Sequence, residues 1–173
     1  PGLAARLTAH TVGAALIIAG MLANVLELVV VGAGLVAAAI LTHAVVLIVQ
    51  RRGALPARFA PLVRYSIAAA LVFMVGIGIG IHLAVAGSGA AGAERFIVAH
   101  LILNGYGWIG LTALGTLVLL WPTVLHARMP ETADRTARLA LPVLVGGLLI
   151  AAGAAVANLM PGVAVGLLIW LVG

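Results

Sequence analysis

The chain has 173 residues, of which 65% are hydrophobic and only 8% are charged, and its formal net charge is +5. A soluble domain carries about 25% charged residues, so this chain has too few polar side chains to cover a surface that faces water. It contains no cysteine, which excludes disulfides, thiolate metal sites and cysteine nucleophiles. A bundle of apolar helices in a lipid bilayer fits this composition, because the outside of such a bundle faces lipid.

Apolar runs, separated by clusters of arginine, proline and glycine, predict an all-α, polytopic transmembrane bundle that forms a single domain over residues 1–173. The six predicted segments are approximately 4–24, 27–50, 62–86, 94–121, 139–157 and 162–173. The last run would be about 18 Å long as a helix, which is too short for a hydrocarbon core of about 30 Å. We therefore expect the sequence to be a fragment of a larger bundle.

The division between the first two segments depends on only two polar residues. Asn24 and Glu27 interrupt the apolar run from Val12 to Val49. One helix over this run would be about 57 Å long, nearly twice the hydrocarbon thickness, so two helices in a tight hairpin are predicted. Pro122 is expected to end the fourth segment, and no internal repeat is evident.

Arginine supplies all the basic residues of the chain, and its distribution predicts the orientation. Under the six-segment topology only Arg95 falls on one side of the membrane. The other side receives Arg6, Arg51, Arg52, Arg58, Arg64, Arg128, Arg135 and Arg138. Because arginine-rich loops stay in the cytoplasm, we expect a multi-pass protein of the plasma (inner) membrane with a cytoplasmic amino terminus. This role in topology accounts for the positive charge without a nucleic-acid partner.

Four histidines lie within the predicted segments, where ionisable groups are costly. His82 and His100 lie near the outer ends of segments three and four, which a short loop joins into an antiparallel pair. Two imidazoles from separate helices at similar depth are the ligands that a haem or a copper ion requires. His10 and His43 form a second candidate pair in the inner half. The alternative for both pairs is packing, with each imidazole bonded to a carbonyl or an asparagine on the next helix.

The fourth segment carries a polar stripe. His100, Asn104 and Trp108 recur every four residues and therefore share one helix face, which Thr112 continues. This face is expected to point into the bundle, with Asn104 helping to orient His100 at a cofactor site. The GxxxG pattern Gly76–Gly80 in the third segment predicts close helix packing.

Two stretches resemble a known family. Ala99–Met129 reads AHLILNGYGWIGLTALGTLVLLWPTVLHARM, and Leu55–Tyr65 reads LPARFAPLVRY. They resemble the polytopic membrane region of actinobacterial copper-oxidase-like and nitrite-reductase-like proteins, in which membrane helices precede cupredoxin domains. The membrane region is more distantly similar to subunit I of haem-copper oxidases.

The resemblance implies a redox function at the outer membrane face. Besides the lipid bilayer, the partners it implies are an outward-facing cupredoxin domain or additional helices of the same protein. His100 lies inside the shared stretch, whereas His82 does not. We expect a membrane domain that anchors a redox protein and holds haem or copper for electron transfer. The alternative is a cofactor-free packing or assembly subunit, or part of a transporter, and whether the chain is itself an enzyme stays open.

Overall fold

The computed structural model describes residues 2–53, 60–87, 89–126, 128, 130 and 132–173, and every regular element in these ranges is a helix. The elements are α1 (Leu3–Ala23), α2 (Leu26–Gly53), α3 (Ala60–Ala86), α4 (Ala93–Leu101), the π-helix π1 (Ile102–Gly110), α5 (Leu111–Val124), α6 (Ala133–Val156) and α7 (Met160–Val172). Since α4, π1 and α5 follow one another without a break, they form one rod, and the described chain has six helical rods. The all-α prediction is confirmed.

Five of the six rods are long and apolar enough to cross a membrane: α1, α2, α3, the α4–π1–α5 rod and α6. The sixth, α7, has 13 residues, which corresponds to about 20 Å. Large apolar side chains cover the outside of the bundle, and Leu22, for example, is 80% exposed. An apolar exterior of this kind contacts lipid, so the chain is a helical protein of the multi-pass membrane class.

Several predicted segment ends differ from the structure. The helix α6 begins at Ala133 rather than at 139, because the polar residues before 139 form a helical turn in which Asp134 pairs with two arginines. Pro122 does not end the fourth segment, since α5 continues to Val124. Proline removes the hydrogen bond to the carbonyl four residues earlier, and α5 ends two residues after Pro122. Of the predicted loop over residues 51–61, residues 51–53 belong to α2 and residues 60–61 belong to α3, while residues 54–59, including Arg58, lie outside the described residues.

The two ends of the bundle differ in chemistry. One end, here named the turn end, contains Asn24, the connection 87–92 and Asn158. The opposite end, named the arginine end, contains Arg6 and Arg64 together with the arginines at the beginning of α6. The tight hairpin predicted between segments one and two is confirmed, because α1 ends at Ala23 and α2 begins at Leu26.

The α1–α2 and α6–α7 hairpins share the geometry of their turns, a local similarity that the sequence analysis did not identify. The stretches Ala23–Gly32 and Ala157–Gly166 align without a gap, ANVLELVVVG against ANLMPGVAVG. Asn24 and Asn158 occupy the same place in the turn, with φ of 56° and 58°, a left-handed conformation that asparagine tolerates better than most residues. In both turns the next backbone N–H donates to the carbonyl five residues earlier, at 2.8 Å.

The helix crossings in the two hairpins also correspond. A Cβ atom placed on Gly13 would lie 2.7 Å from the carbonyl oxygen of Gly32, and one placed on Gly147 would lie 2.7 Å from that of Gly166. Both hairpins are therefore held by backbone-to-backbone contact at paired glycines. Close approach of this kind replaces the hydrophobic drive that lipid removes.

The core lies where α3, the α4–π1–α5 rod and α6 meet. Its buried members are mostly small or branched apolar residues: Tyr65, Ala69, Val72, Ala99, Ile102, Leu103, Leu111, Ala137, Leu144, Leu148, Ala151, Ala152, Ala155 and Val163. A smaller cluster of Val36, Ile40, Ala44 and Ala70 joins α2 to the other side of α3. Thus α3 is central, with α2 on one side and α4 and α6 on the other.

Polar contacts join α3 to α6 at the arginine end. The guanidinium of Arg64 pairs with the Asp134 carboxylate, which also accepts a hydrogen bond of 2.8 Å from Arg138. The hydroxyl of Tyr65, a residue that is 2% exposed, donates to the carbonyl oxygen of Ala137 at 3.1 Å. These bonds hold the first turns of the two helices together.

Replacing Tyr65 with phenylalanine is expected to lower the free energy of unfolding by about 1 kcal/mol, because a buried hydrogen bond is lost. The matched control is Tyr106→Phe, since that side chain is 44% exposed and contacts the edge of the Trp170 ring. We expect the control to stay within about 0.5 kcal/mol of the parent. Equilibrium unfolding in mixed micelles measures both variants, and equal losses would contradict a stabilising role for the Tyr65 bond.

Candidate functional site

The imidazole of His100 projects from α4 onto α3. Its Nδ1 atom lies 2.9 Å from the carbonyl oxygen of Gly76. Because a carbonyl oxygen only accepts hydrogen bonds, Nδ1 carries the proton. In the neutral side chain Nε2 is then free to bind a metal ion or to accept a hydrogen bond.

The glycine pair predicted for helix contact makes room for the polar stripe of α4 and π1. A Cβ atom on Gly80 would lie 2.8 Å from Cε1 of His100, and one on Gly76 would lie 2.5 Å from Oδ1 of Asn104. The intervening Gly78 has open space around its Cβ position. The side chains of His100 and Asn104 therefore occupy the space that the absent side chains of Gly80 and Gly76 leave on α3. This close contact with α3 occurs at Gly76 and Gly80 and not at Gly78.

Asn104 lies one turn after His100, and its Nδ2 donates to the carbonyl oxygen of His100 at 2.8 Å. It thus contacts the backbone of the predicted ligand rather than its ring. Its Oδ1 is buried and has no hydrogen-bond partner among the described residues. One turn further on, Trp108 stacks on Phe73 of α3 with ring centroids 4.9 Å apart. The predicted shared face of His100, Asn104 and Trp108 is confirmed, since all three contact α3.

The middle of the stripe is π-helical, a feature that sequence reasoning missed. The π-helix covers Ile102–Gly110 and begins two residues after His100. Three glycines in this stretch, at 105, 107 and 110, weaken the preference for an α-helix. Interruptions of this kind occur frequently at functional sites in helices, and this one lies beside the candidate ligand.

His82 occupies a different side of α3 from the surface that His100 contacts. Positions 80 and 82 are about 200° apart around a helix, so Gly80 and His82 face nearly opposite directions. His82 is exposed, and its ring lies 4.6 Å from that of Phe96, measured between centroids. The structure therefore places His100 with Asn104, whereas His82 contacts Phe96, which lies one turn before His100 on α4. A metal shared by His82 and His100 stays a prediction.

A cavity of about 720 Å³ lies at the turn end, between the α1–α2 hairpin and the α3–α4 pair. Cofactor and ligand sites typically measure about 300–1,000 Å³. Its walls are mainly apolar, and the polar residues that line it are Asn24, His100 and Asn104. A mostly apolar cavity with a few convergent polar groups is typical of a small-molecule site.

The second predicted pair, His10 and His43, is not aligned across the α1–α2 hairpin. Since Gly13 lies against Val36 in this antiparallel pair, the residue opposite His43 is one turn before His10. That residue is Arg6. Whether His10 and His43 bind a metal stays a prediction.

No family model, curated protein or solved structure matches this chain. The function therefore has to be argued from the residues around the cavity. Among the described residues, no three histidine or acidic side chains converge in a way that would hold a metal ion. The chemical group that stands out is one imidazole with its proton on Nδ1 at the wall of an apolar cavity.

Proposed function

We propose that this chain is the membrane domain of a redox protein, in which His100 binds a haem or a copper ion in the cavity at the turn end. The observation that carries the proposal is the hydrogen bond between Nδ1 of His100 and the Gly76 carbonyl. Histidines that bind metals almost always donate their other ring N–H to a carbonyl, a carboxylate or water, which fixes the tautomer and the ring orientation. His100 has this arrangement without any partner from outside the bundle.

The donor set favours haem over copper. Copper sites in proteins gather several nitrogen or sulfur ligands, whereas a haem can be held by one proximal histidine within an apolar pocket. His100 is the single histidine among the residues that line the cavity, and most of the others are apolar. A bound haem would supply one-electron chemistry. The chain would hold it through the imidazole and exclude water with the apolar wall.

The proposed orientation places the turn end outside. Arg6, Arg64 and the first turn of α6 lie at the arginine end, which the positive-inside rule assigns to the cytoplasm of a plasma (inner) membrane. The amino terminus is then cytoplasmic and the cavity lies near the outer face. An outward-facing cupredoxin domain, as in the family that Ala99–Met129 resembles, would be the electron partner. Further helices of the same protein are the other partner that the resemblance suggests.

Replacing His100 with alanine is expected to reduce bound haem or copper at least about tenfold, since even the partners of metal ligands contribute 10–100-fold. His82→Ala is the matched control, because His82 lies on another side of α3, and it should retain the cofactor. Absorption spectra and metal analysis of purified, folded protein measure both. A colourless and metal-free parent protein, purified from cells supplied with haem and copper, would overturn the proposal.

A cofactor-free packing role is the second candidate, and one observation favours it. The side chains of His100 and Asn104 fill the spaces at Gly80 and Gly76 closely, as residues that only join two helices would. Hydrogen bonds of this kind contribute about 0.6–2 kcal/mol in membranes. Under this hypothesis His100→Ala lowers the stability of the bundle and changes no spectrum, so the experiment above separates the two candidates.

A further inference from the structure

The side chain of Arg6 lies between α1 and α2 at the arginine end. Arg6, Gly13 and Gly20 are spaced by seven residues, which places them on one face of α1. Both glycines contact α2 through their backbone, so this face is the one that packs on α2. The same spacing on α2 leads from Val36, which contacts Gly13, to His43. Arg6 and His43 are therefore opposite each other in the hairpin.

The guanidinium of Arg6 is partly buried, and none of the described residues supplies a counter-charge to it. Its Nε and Nη1 atoms are buried and have no hydrogen-bond partner in the described part of the chain. The ion pairs formed by the described residues involve Asp134, with Arg64 and Arg138, and these lie on other helices. A guanidinium whose donors have no partner inside the protein can hydrogen-bond an anion from outside the bundle, so an anion is expected beside Arg6.

We propose that Arg6, with His43 beside it, binds the phosphate group of a phospholipid from the leaflet at the arginine end. A guanidinium matches phosphate with two parallel hydrogen bonds, and the ring N–H of His43 can donate a further one. A lipid is the source of the phosphate because apolar side chains surround the site. Leu3 and Leu7, on either side of Arg6, are 63% and 58% exposed and would contact its acyl chains.

The second hairpin offers an internal comparison. In the alignment of the two hairpins, the position that corresponds to Arg6 is Ala140 of α6, which packs against the core of the bundle. The α6–α7 hairpin thus keeps the crossing at paired glycines without any charge at this level. Arg6 is therefore not needed to build this type of hairpin, which supports a role in binding.

Native mass spectrometry of the purified full chain, exchanged into detergent that contains phosphatidylglycerol, tests the site. The parent protein should retain one phosphatidylglycerol molecule, and Arg6→Gln should reduce its retention at least about tenfold, which corresponds to 1.4 kcal/mol. Arg95→Gln, at the turn end, is the matched control and should retain the lipid. Circular dichroism checks that each variant is folded.

Three outcomes would overturn the proposal. The first is equal retention of phosphatidylglycerol by Arg6→Gln and the parent. The second is inorganic phosphate displacing the lipid at comparable concentration, because the site would then take a soluble anion. If Arg6→Gln does not fold, Arg6→Lys decides, since lysine keeps the charge but loses the planar fork. Weaker retention by Arg6→Lys supports the site, and unchanged retention is the third outcome that contradicts it.

Discussion

Leucine in place of Gly147 is expected to break the α6–α7 hairpin, whereas leucine at the adjacent Gly146 is expected to be tolerated. A Cβ atom on Gly147 would lie 2.7 Å both from the carbonyl oxygen of Gly166 and from the backbone nitrogen of Trp170. Backbone atoms cannot rotate away as a side chain end can, so α7 has to move. At Gly146 the Cβ position has open space, and leucine there would extend toward lipid.

The expected loss for Gly147→Leu is about 3 kcal/mol, at the upper end of the usual cost of overpacking. Equilibrium unfolding in mixed micelles gives the free energy of unfolding for Gly147→Leu and Gly146→Leu side by side. The similarity between the two hairpins extends the test to the first hairpin, where Gly32 occupies the crossing and Gly34 has open space. Equal stability of the two members of either pair would show that the crossing does not depend on glycine.

The bundle itself was predictable because its causes are local. Apolar runs long enough for a membrane have few alternatives to a helix, and Asn24 interrupts the first long run where the structure has a left-handed turn. The connection at 87–92 was predicted by its small residues, and Gly87 and Gly92 both have positive φ in the structure. In each of these cases the conformation depends on the residue itself and not on distant contacts.

The similarity between the two hairpins and the π-helix were not predicted, because the hydropathy of the sequence shows neither of them. Ala23–Gly32 and Ala157–Gly166 share only an asparagine, two valines and small end residues, and their equivalence becomes clear from the matched turns and crossings. The π-helix follows from tertiary packing as well as from glycine. Gly107, for example, lies directly against Val72 of α3, so the rod has to bring this face close to α3.

The shared face of the polar stripe followed from spacing. Residues four apart share a face of an α-helix, which correctly placed His100, Asn104 and Trp108 on one face that points into the bundle, where they contact α3. The partner His82 was chosen by depth alone, and depth does not say which way a side chain points around the helix. The position of His82 relative to Gly80, two residues away on the same helix, contains that information. Whether His82 and His100 share a metal stays a prediction, and the angular position of His82 around α3 bears on it as much as its depth does.

Gly80→Leu is expected to displace the His100 imidazole from α3. The Cβ atom alone would lie 2.8 Å from Cε1 of His100, and the rest of the leucine side chain would occupy the volume of the ring. The imidazole then loses its bond to the Gly76 carbonyl, so neither its tautomer nor its direction stays fixed. Under the proposed function, cofactor retention should fall at least about tenfold, as it does when a partner of a metal ligand is removed.

Gly78→Leu is the matched control for this change, because it adds the same side chain to the same helix two residues away, at an exposed position with open space. Nitrogen chemical shifts of the His100 ring report its tautomer even when no cofactor is bound. We expect the Nδ1-protonated signature in the parent and in Gly78→Leu, and a mixture of tautomers in Gly80→Leu. The same tautomer in all three proteins would mean that the contact between His100 and α3 does not position the imidazole, and the argument that assigns Nε2 to a metal would lose its basis.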